Sequence, residues 1–444
     1  MDPVAKRFIV FGVAGTFLLC MVSCFDINRL NVPEDGKIWA LLVAGSNTYD
    51  NYRHQADICH SYQILHKHGI PDEQIIVMMY DDIAMNEENP TKGIIINHPN
   101  GEDVYQGTLK DYTKNDVTPE NFLSILQGDQ EAMKGKGSGK VINSGPSDHI
   151  FVYFADHGAP GLLAFPEGEL LASDLNKVLQ KMYNEKRYAK MVMYIEACES
   201  GSMFAKLLPN NINIFVTTAA NPRESSYACY FDEQRETYLG DVYSVNWMED
   251  SDKENLNSET LNKQFHIVKK ETNTSHVQEY GDLSIAKLKV AEFQGAAACN
   301  CEARLPKVPL DAVPSHEVSL AILKRRIMKA NSFEEHDQLK LKLKKLLRNR
   351  DFLSNVVKDV VSKATFSKDQ ADQILNSKFD LEDFDCYDQV ARYFSSNCFA
   401  LSKNGYALRH MYAFVNMCET GISAEKQVKA MEAACIFPPM YGIV

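Results

Sequence analysis

Five short, near-continuous apolar runs punctuate the first half of this 444-residue chain: Ile38–Val43, Ile75–Tyr80, Ile150–Phe154, Met191–Ile195 and Ile214–Thr217. A strand with one face in water alternates apolar and polar residues. A strand without that alternation is buried on both faces, as parallel strands are between two layers of helices. Helical candidates lie between the runs, at Tyr52–His68, Ser173–Asn184 and Met203–Leu208, while Asn89–Gly107 carries the Pro, Gly and Asn of a loop. From residue 37 to about 290 the pattern therefore predicts a doubly wound α/β domain with a mainly parallel sheet.

Two of the runs end in reactive residues. Ile150–Phe154 leads into Asp156-His157-Gly158-Ala159-Pro160-Gly161, and Met191–Ile195 leads into Glu196-Ala197-Cys198-Glu199-Ser200-Gly201. In open parallel sheets, chemistry gathers beyond the carboxyl ends of the strands. A thiol with a pKa near ~8.5 is a poor nucleophile in mild acid, and a neighbouring imidazolium can bring it down to ~3.5–7.5. His157 is then the base toward Cys198 and later the acid toward the leaving amine. The N–H groups of Gly158 and Cys198 are the natural donors to the oxyanion. The pairing points to a cysteine hydrolase, although position alone more readily fits two ordinary core residues.

The ends of the chain narrow the setting. Lys6 and Arg7 precede an apolar run from Phe8 to about Val22, shorter than the ~20 residues of a membrane span. Residues 1–24 read as a secretory signal peptide, with a signal anchor as the other reading. No second apolar stretch approaches membrane length, so a soluble mature protein that folds in an oxidising compartment is expected. Asn273-Thr274-Ser275 is a glycosylation sequon on that route. A net charge of −12 argues against generic nucleic-acid binding, and neither a cofactor nor a metal is expected.

Of eleven cysteines, Cys20 and Cys24 leave with the signal, so at least one of the remaining nine is unpaired within the chain. Cys386, Cys398, Cys418 and Cys435 cluster where a small domain profits from two disulfides. Cys59 and Cys229 read as buried thiols, and the pair Cys299 and Cys301 is unassigned. The Pro-rich stretch 296–314 lacks periodicity and reads as a linker. Beyond Ser315 the chain turns helical, with Phe352, Leu353, Val356, Val357, Val360 and Val361 on one face and further stripes in Tyr387–Phe394 and Tyr406–Val415. The expected division is a signal over 1–24, a catalytic domain over 25–295, a linker and activation peptide over 296–350, and a helical domain over 351–444. Residues 324–350 hold ten Lys and Arg against three Asp and Glu. That basic segment is either a solvated face or a latch onto the acidic catalytic domain.

The two strand-end motifs resemble those of the legumains, a family of asparaginyl endopeptidases. So do Gly45-Ser46-Asn47 with Asn51-Tyr52-Arg53-His54-Gln55-Ala56-Asp57, the stretch Thr217-Thr218-Ala219-Ala220-Asn221-Pro222-Arg223-Glu224-Ser225-Ser226, and Gly240-Asp241-Val242-Tyr243-Ser244-Val245-Asn246-Trp247. Ala155 departs from the family, standing where many relatives carry a hydroxyl residue. The resemblance spans nearly the whole chain. It implies a caspase-like, mainly parallel sheet flanked by helices, followed by a small all-α, disulfide-stapled prodomain that covers the active-site face.

By motif, His157 and Cys198 match the catalytic dyad and Asn51 the residue that orients the imidazole. Arg53, Glu196 and Asp241 match the specificity pocket, with Ser225 and Ser226 as a wall. Asn331 marks the processing point, and the implied disulfides are Cys386–Cys418 and Cys398–Cys435. The implied partners are peptides and proteins with exposed Asn, the chain's own prodomain and cystatin-type inhibitors, in an endolysosomal or acidic extracellular setting.

The pocket makes chemical sense. An Asn side chain offers one carbonyl acceptor and two N–H donors, which Arg53 on one side and Glu196 and Asp241 on the other would match. An Asp side chain would meet two carboxylates, so its cleavage is expected only at lower pH. The function read from the sequence is an endopeptidase cutting after Asn, made as a zymogen and activated by acid and self-cleavage near Asn331. Two other readings share these motifs: a peptide ligase of the same fold, and a non-catalytic binding role of the zymogen or its tail.

Overall fold

The computed structural model describes residues 36–296 and 308–444. The expected signal peptide and the pair Cys299 and Cys301 lie outside the described residues. The central sheet contains β1 (Ile38–Ala44), β2 (Ile75–Met78), β3 (His149–Ala155), β4 (Lys190–Glu196), β5 (Ile214–Thr218) and β6 (Gln278–Gly281). Their order across the sheet is β6-β5-β4-β3-β1-β2. The first five strands run parallel, and β6 closes one edge antiparallel to β5.

The unbroken apolar runs have the expected cause. In β3, Phe151, Tyr153 and Ala155 face a core shared with helices Tyr52–Lys67, Val242–Lys253 and Leu261–Glu271. Ile150, Val152 and Phe154 face the opposite core, shared with Pro119–Leu126 and Ala172–Asn184. Both faces of the strand are buried, so from Ile150 to Ala155 neither alternates with charged residues. The helix expected at Met203–Leu208 is absent: a 3-10 turn covers Ser200–Met203 and turns follow. The segment before Pro209 is too short to sustain an α-helix, and Met203 and Phe204 instead anchor the turn in the core.

Outside the sheet, Tyr227–Asp232 and Thr237–Asp241 form an antiparallel hairpin. A two-residue strand from the linker, Val313–Pro314, pairs along the hairpin's free edge at Ala228 and Tyr227. The chain then forms helix Val318–Lys329 and a 32-residue helix, Phe333–Ala364, which runs without interruption across residue 350. Four more helices complete the C-terminal domain, at Lys368–Asn376, Phe384–Asn397, Tyr412–Glu419 and Ala424–Ala434. Ser332, Ser367, Asp383 and Ser423 cap four of these helices by accepting from the backbone N–H three residues on. Each such cap stabilises its helix by about 1 kcal/mol.

Leu353, Val356, Val357, Val360 and Val361 are buried in the C-terminal core, and Phe352 sits at its margin. Cys386 is bonded to Cys418 and Cys398 to Cys435, and Cys59 and Cys229 are buried free thiols. This core also takes in Ala159, Leu162, Ala164 and Leu171, which follow β3. Gly161 adopts φ +65°, and a Cβ there would lie 2.5 Å from Leu381. The helical domain thus rests directly on the turn that carries His157. Among the described residues, no helix is long and apolar enough to cross a membrane.

Candidate active site

The five parallel strands run in the order 2-1-3-4-5, so the strand order reverses between β1 and β3, where doubly wound folds open their crevice. Asn51 follows β1, His157 follows β3 and Cys198 follows β4. Gly158 locks two of these turns together: a Cβ on it would stand 2.4 Å from the Cys198 carbonyl oxygen and 3.0 Å from Ala197 Cβ. Only glycine permits that approach. The next turn is tight as well, with Glu199 in the left-handed region at φ 51°.

Asn51 fixes the imidazole. Its Nδ2 donates to the Asn47 carbonyl at 3.0 Å, which turns Oδ1 toward His157 Nε2 at 2.9 Å. The hydrogen of His157 therefore sits on Nε2, and Nδ1 is left as a base. Cys198 Sγ lies 3.1 Å from Ser225 Oγ and 3.8 Å from Ser226 Oγ. Burial pushes the Cys198 thiol up to about 12, with the Glu199 carboxyl adding to it. Burial also lowers His157 to about 3, helped by the charge of Arg53 and by His316. In this covered state thiol and imidazole are both neutral.

Beside the pair lies a buried charged cluster. Helix Tyr52–Lys67 starts with an unbroken buried stretch from Tyr52 to Cys59 that includes Arg53, His54 and Asp57. Arg53, 0 % exposed, donates from Nε to Asp241 Oδ1 at 2.8 Å. Its Nη2 donates to Ser315 Oγ at 2.7 Å. Glu196 Oε2 accepts from the backbone N–H of Ser244 at 3.2 Å and from its hydroxyl at 3.0 Å, at the N-terminus of helix Val242–Lys253. Glu196 Oε1 is buried without a donor. Burial raises the carboxyls of Glu196 and Asp241; Asp241 pushes Glu196 further up, while Arg53 pulls Asp241 back. The structure thus brings together Asn51, Arg53, His157, Gly158, Glu196, Cys198, Ser225, Ser226 and Asp241.

Asn331 and Asn273 lie elsewhere. Asn331 is exposed in the break between helices Val318–Lys329 and Phe333–Ala364, on an open cleft of about 470 Å³ shared with Arg326, Lys329 and Glu335. Asn273 is exposed after helix Leu261–Glu271.

Sequence reasoning missed the linker residues at the site. Ser315, bonded to Arg53, donates its backbone N–H to the Ser226 carbonyl at 2.9 Å, and His316 Nδ1 lies 3.3 Å from Ser225 Oγ. It also missed His54, whose ring meets His157 edge-on at 5.1 Å and whose Nδ1 lies 2.7 Å from Ser46 Oγ. Among the described residues, His54, Asp156 and His157 offer ligand atoms within 4.8 Å of one another. The Arg53 charge acts on all three and opposes a cation there.

Residues 38–296 match the model of the peptidase C13 family, and residues 341–435 match that of the legumain prodomain. Legumain from Bos taurus is 53 % identical over 95 % of this chain and 98 % of its own length. Legumain from Homo sapiens is 54 % identical over 91 % of this chain and 94 % of its own, and the vacuolar-processing enzyme delta-isozyme of Arabidopsis thaliana is 41 % identical over 92 % of each. Among solved structures, caspase-1 from Spodoptera frugiperda aligns with 62 % of this chain at 9 % identity and a TM-score of 0.36. Matched to that family over residues 38–296 and to legumains over nearly its whole length, this chain is a cysteine endopeptidase and belongs to the peptidase C13 family.

Proposed function

We propose that the protein hydrolyses peptide bonds after Asn and is made as a precursor that blocks its own cleft. The observation that carries the first half is the pocket. The fully buried guanidinium of Arg53 stands with two buried carboxyls, and Glu196 Oε1 lacks a donor. An Asn amide would give its N–H to Glu196 and take a hydrogen bond from Arg53 at its carbonyl. The Cys198 thiolate attacks the scissile carbon after passing its proton to His157 Nδ1, the N–H groups of Gly158 and Cys198 hold the oxyanion, and the imidazolium protonates the leaving amine. Water then attacks the thioester with His157 again as base.

The second half rests on the linker. Val313–Pro314 occupies the edge of strand Tyr227–Asp232, where an extended peptide would add itself by β-pairing, and Ser315 takes the Arg53 hydrogen bond that a substrate side chain would need. Helix Val318–Lys329 fastens the linker. Arg326 pairs with Glu88 at 2.6 Å and Glu236 at 3.3 Å, Arg325 with Glu233 at 3.8 Å, and Lys329 with Glu233. The cations at 340, 342, 344, 345 and 348 are exposed instead, so the latch is narrower than the charge split suggests. Activation in acid would release the linker from these pairs, with Asn331 as the point of self-cleavage. We place the protein in the secretory route, with the sequon at Asn273 glycosylated and acid endolysosomal or extracellular fluid as its setting. A cystatin-type inhibitor would enter the same opened cleft.

Acid-treated full-length protein, incubated with an Asn-containing peptide and an amine acceptor and then weighed by mass spectrometry, tests this reading. Hydrolysed product ending in Asn supports it. Amine-capped product identifies a ligase instead, and intact peptide would leave only a binding role.

A further inference from the structure

A second carboxyl beneath the pocket has no part in the chemistry above. Asp57 follows Arg53 by one helical turn, so both side chains leave the same side of helix Tyr52–Lys67. Asp57 is 0 % exposed. Its Oδ1 accepts from Asn97 Nδ2 at 2.7 Å, and the same amide group donates to the Leu239 carbonyl at 2.8 Å. Asn97 is held that way round by His60, whose Nδ1 lies 2.8 Å from Asn97 Oδ1 and whose Nε2 lies 2.8 Å from Asp252. Gly240 leaves the space Asp57 needs, since a Cβ there would stand 3.2 Å from its Oδ1.

The other oxygen of Asp57 is the informative one. Oδ2 is buried and meets no N–H or O–H donor, and the Asp57 side chain faces the carboxyl of Asp241. Asp241 Oδ1 accepts from Arg53 Nε, and its buried Oδ2 likewise has no donor in reach; His54 Nε2 stands off at 3.5 Å. Two facing carboxylate oxygens, both out of water, repel unless a proton lies between them. The groups facing Asp57 are Asp241 from the hairpin, Glu196 from β4, Tyr153 from β3, Cys229 from the hairpin, and Arg53 and His54 from its own helix. Arg53 is the one fixed cation among these, and it is already paired with Asp241.

We propose that Asp57 is a protonated positioning residue that donates to Asp241 Oδ2 while Arg53 holds Oδ1, and so sets the charge and aim of the specificity pocket. This rests on reading Arg53, Glu196 and Asp241 as the substrate pocket. Burial and the neighbouring Asp241 charge keep the Asp57 carboxyl well above the usual range, which agrees with a retained proton. When that proton leaves at higher pH, a second negative charge stands against Asp241 and Arg53 is pulled off its aim. Binding of the Asn side chain then weakens before the dyad itself is affected.

The test compares wild type, Asp57→Asn and Asp57→Ala as acid-treated full-length proteins, reading kcat and KM for an Asn peptide from about pH 4 to about pH 8. Asn at 57 can still donate to Asp241 but cannot titrate. It is expected to keep kcat/KM within about threefold of wild type in mild acid and to carry the alkaline rise of KM to higher pH. Asp57→Ala leaves Asp241 Oδ2 without a donor and is expected to raise KM about ten- to hundredfold with little change in kcat. An unshifted alkaline limb in Asp57→Asn, or an unchanged KM in Asp57→Ala, overturns the proposal. Difference infrared spectra of the uncleaved full-length chain at neutral pH need no activity at all. A protonated-carboxyl band lost in Asp57→Asn supports the proposal, and identical spectra contradict it. Wild type that shows no preference for Asn would overturn the pocket reading while the infrared result still decides the proton.

Discussion

At the scale of single residues, the proposed role of His157 as base needs Nδ1 bare, and the Asn51 hydrogen bond at Nε2 leaves it so. Replacing Asn51 with Ala removes the acceptor at Nε2 and frees the ring to take the other tautomer. We expect kcat to fall about 10- to 100-fold with KM nearly unchanged, as steady-state kinetics would show. Burial holds Cys198 at about 12 in the covered chain, so its thiolate is scarce at neutral pH. Alkylation by iodoacetamide, followed by mass spectrometry, is expected to run at least about 100-fold slower than after acid treatment. The His157 and Cys198 motifs were legible in the sequence because strand-end chemistry sits next to an apolar run. Ser315 was not, because a serine in an aperiodic linker carries no local signal of what it will touch. Asp57 left a trace that went unread: Arg53 and Asp57 stand four residues apart in a helix whose whole first half is buried.

At the scale of elements, the proposed precursor makes the linker strand Val313–Pro314 a removable strand and its helix the clasp. Glu317 fastens them from the inner side, bonded to Arg350 at 2.8 Å and to Arg409 at 3.1 Å. Burial alone would raise the Glu317 carboxyl, but the hydrogen bond and charge of Arg350, with His316 and Arg409, hold it below its usual value. A depressed carboxylate stabilises the closed form at all pH above the ordinary carboxylate range, and that contribution is lost as pH falls through the lowered value. Glu317→Gln removes it, so the pH at which full-length protein becomes active is expected to move upward, read as peptide cleavage after timed incubations across pH. The five parallel strands were readable because burial on both faces removes polar residues from them. The helix expected at Met203–Leu208 misled because apolar spacing over six residues cannot tell a buried turn from a helix. The hairpin Tyr227–Asp232 and Thr237–Asp241 left no equivalent pattern, although Cys229, Tyr230 and Leu239 join the core while Ala228 and Tyr238 pack against the linker helix.

At the scale of the whole molecule, the sheet domain and the C-terminal helices share one core face. The C-terminal domain is stapled by disulfides spanning 32 and 37 residues, each worth about 3–4 kcal/mol by loop entropy. Its melting at neutral pH is expected to drop when they are reduced, as differential scanning calorimetry would show. The catalytic domain carries Asp57, Asp156 and Glu196 with carboxyls that burial, as the largest cause in each, raises well above their usual range. Such groups stabilise the fold below the ordinary carboxylate range, and that contribution is lost as pH rises through the folded values. The catalytic domain freed of its cover should therefore melt lower at neutral pH than in mild acid. In the proposed pocket, Glu196 and Asp57 also bear on the selectivity of the cleft. The most direct measurement is the ratio of kcat/KM for two peptides that differ only in Asn or Asp before the scissile bond, followed from about pH 4 to about pH 6. A pocket made of Arg53, Glu196 and Asp241 requires that ratio to favour Asn strongly near pH 6 and to narrow as the pH falls. Equal rates on the two peptides near pH 6 would contradict it.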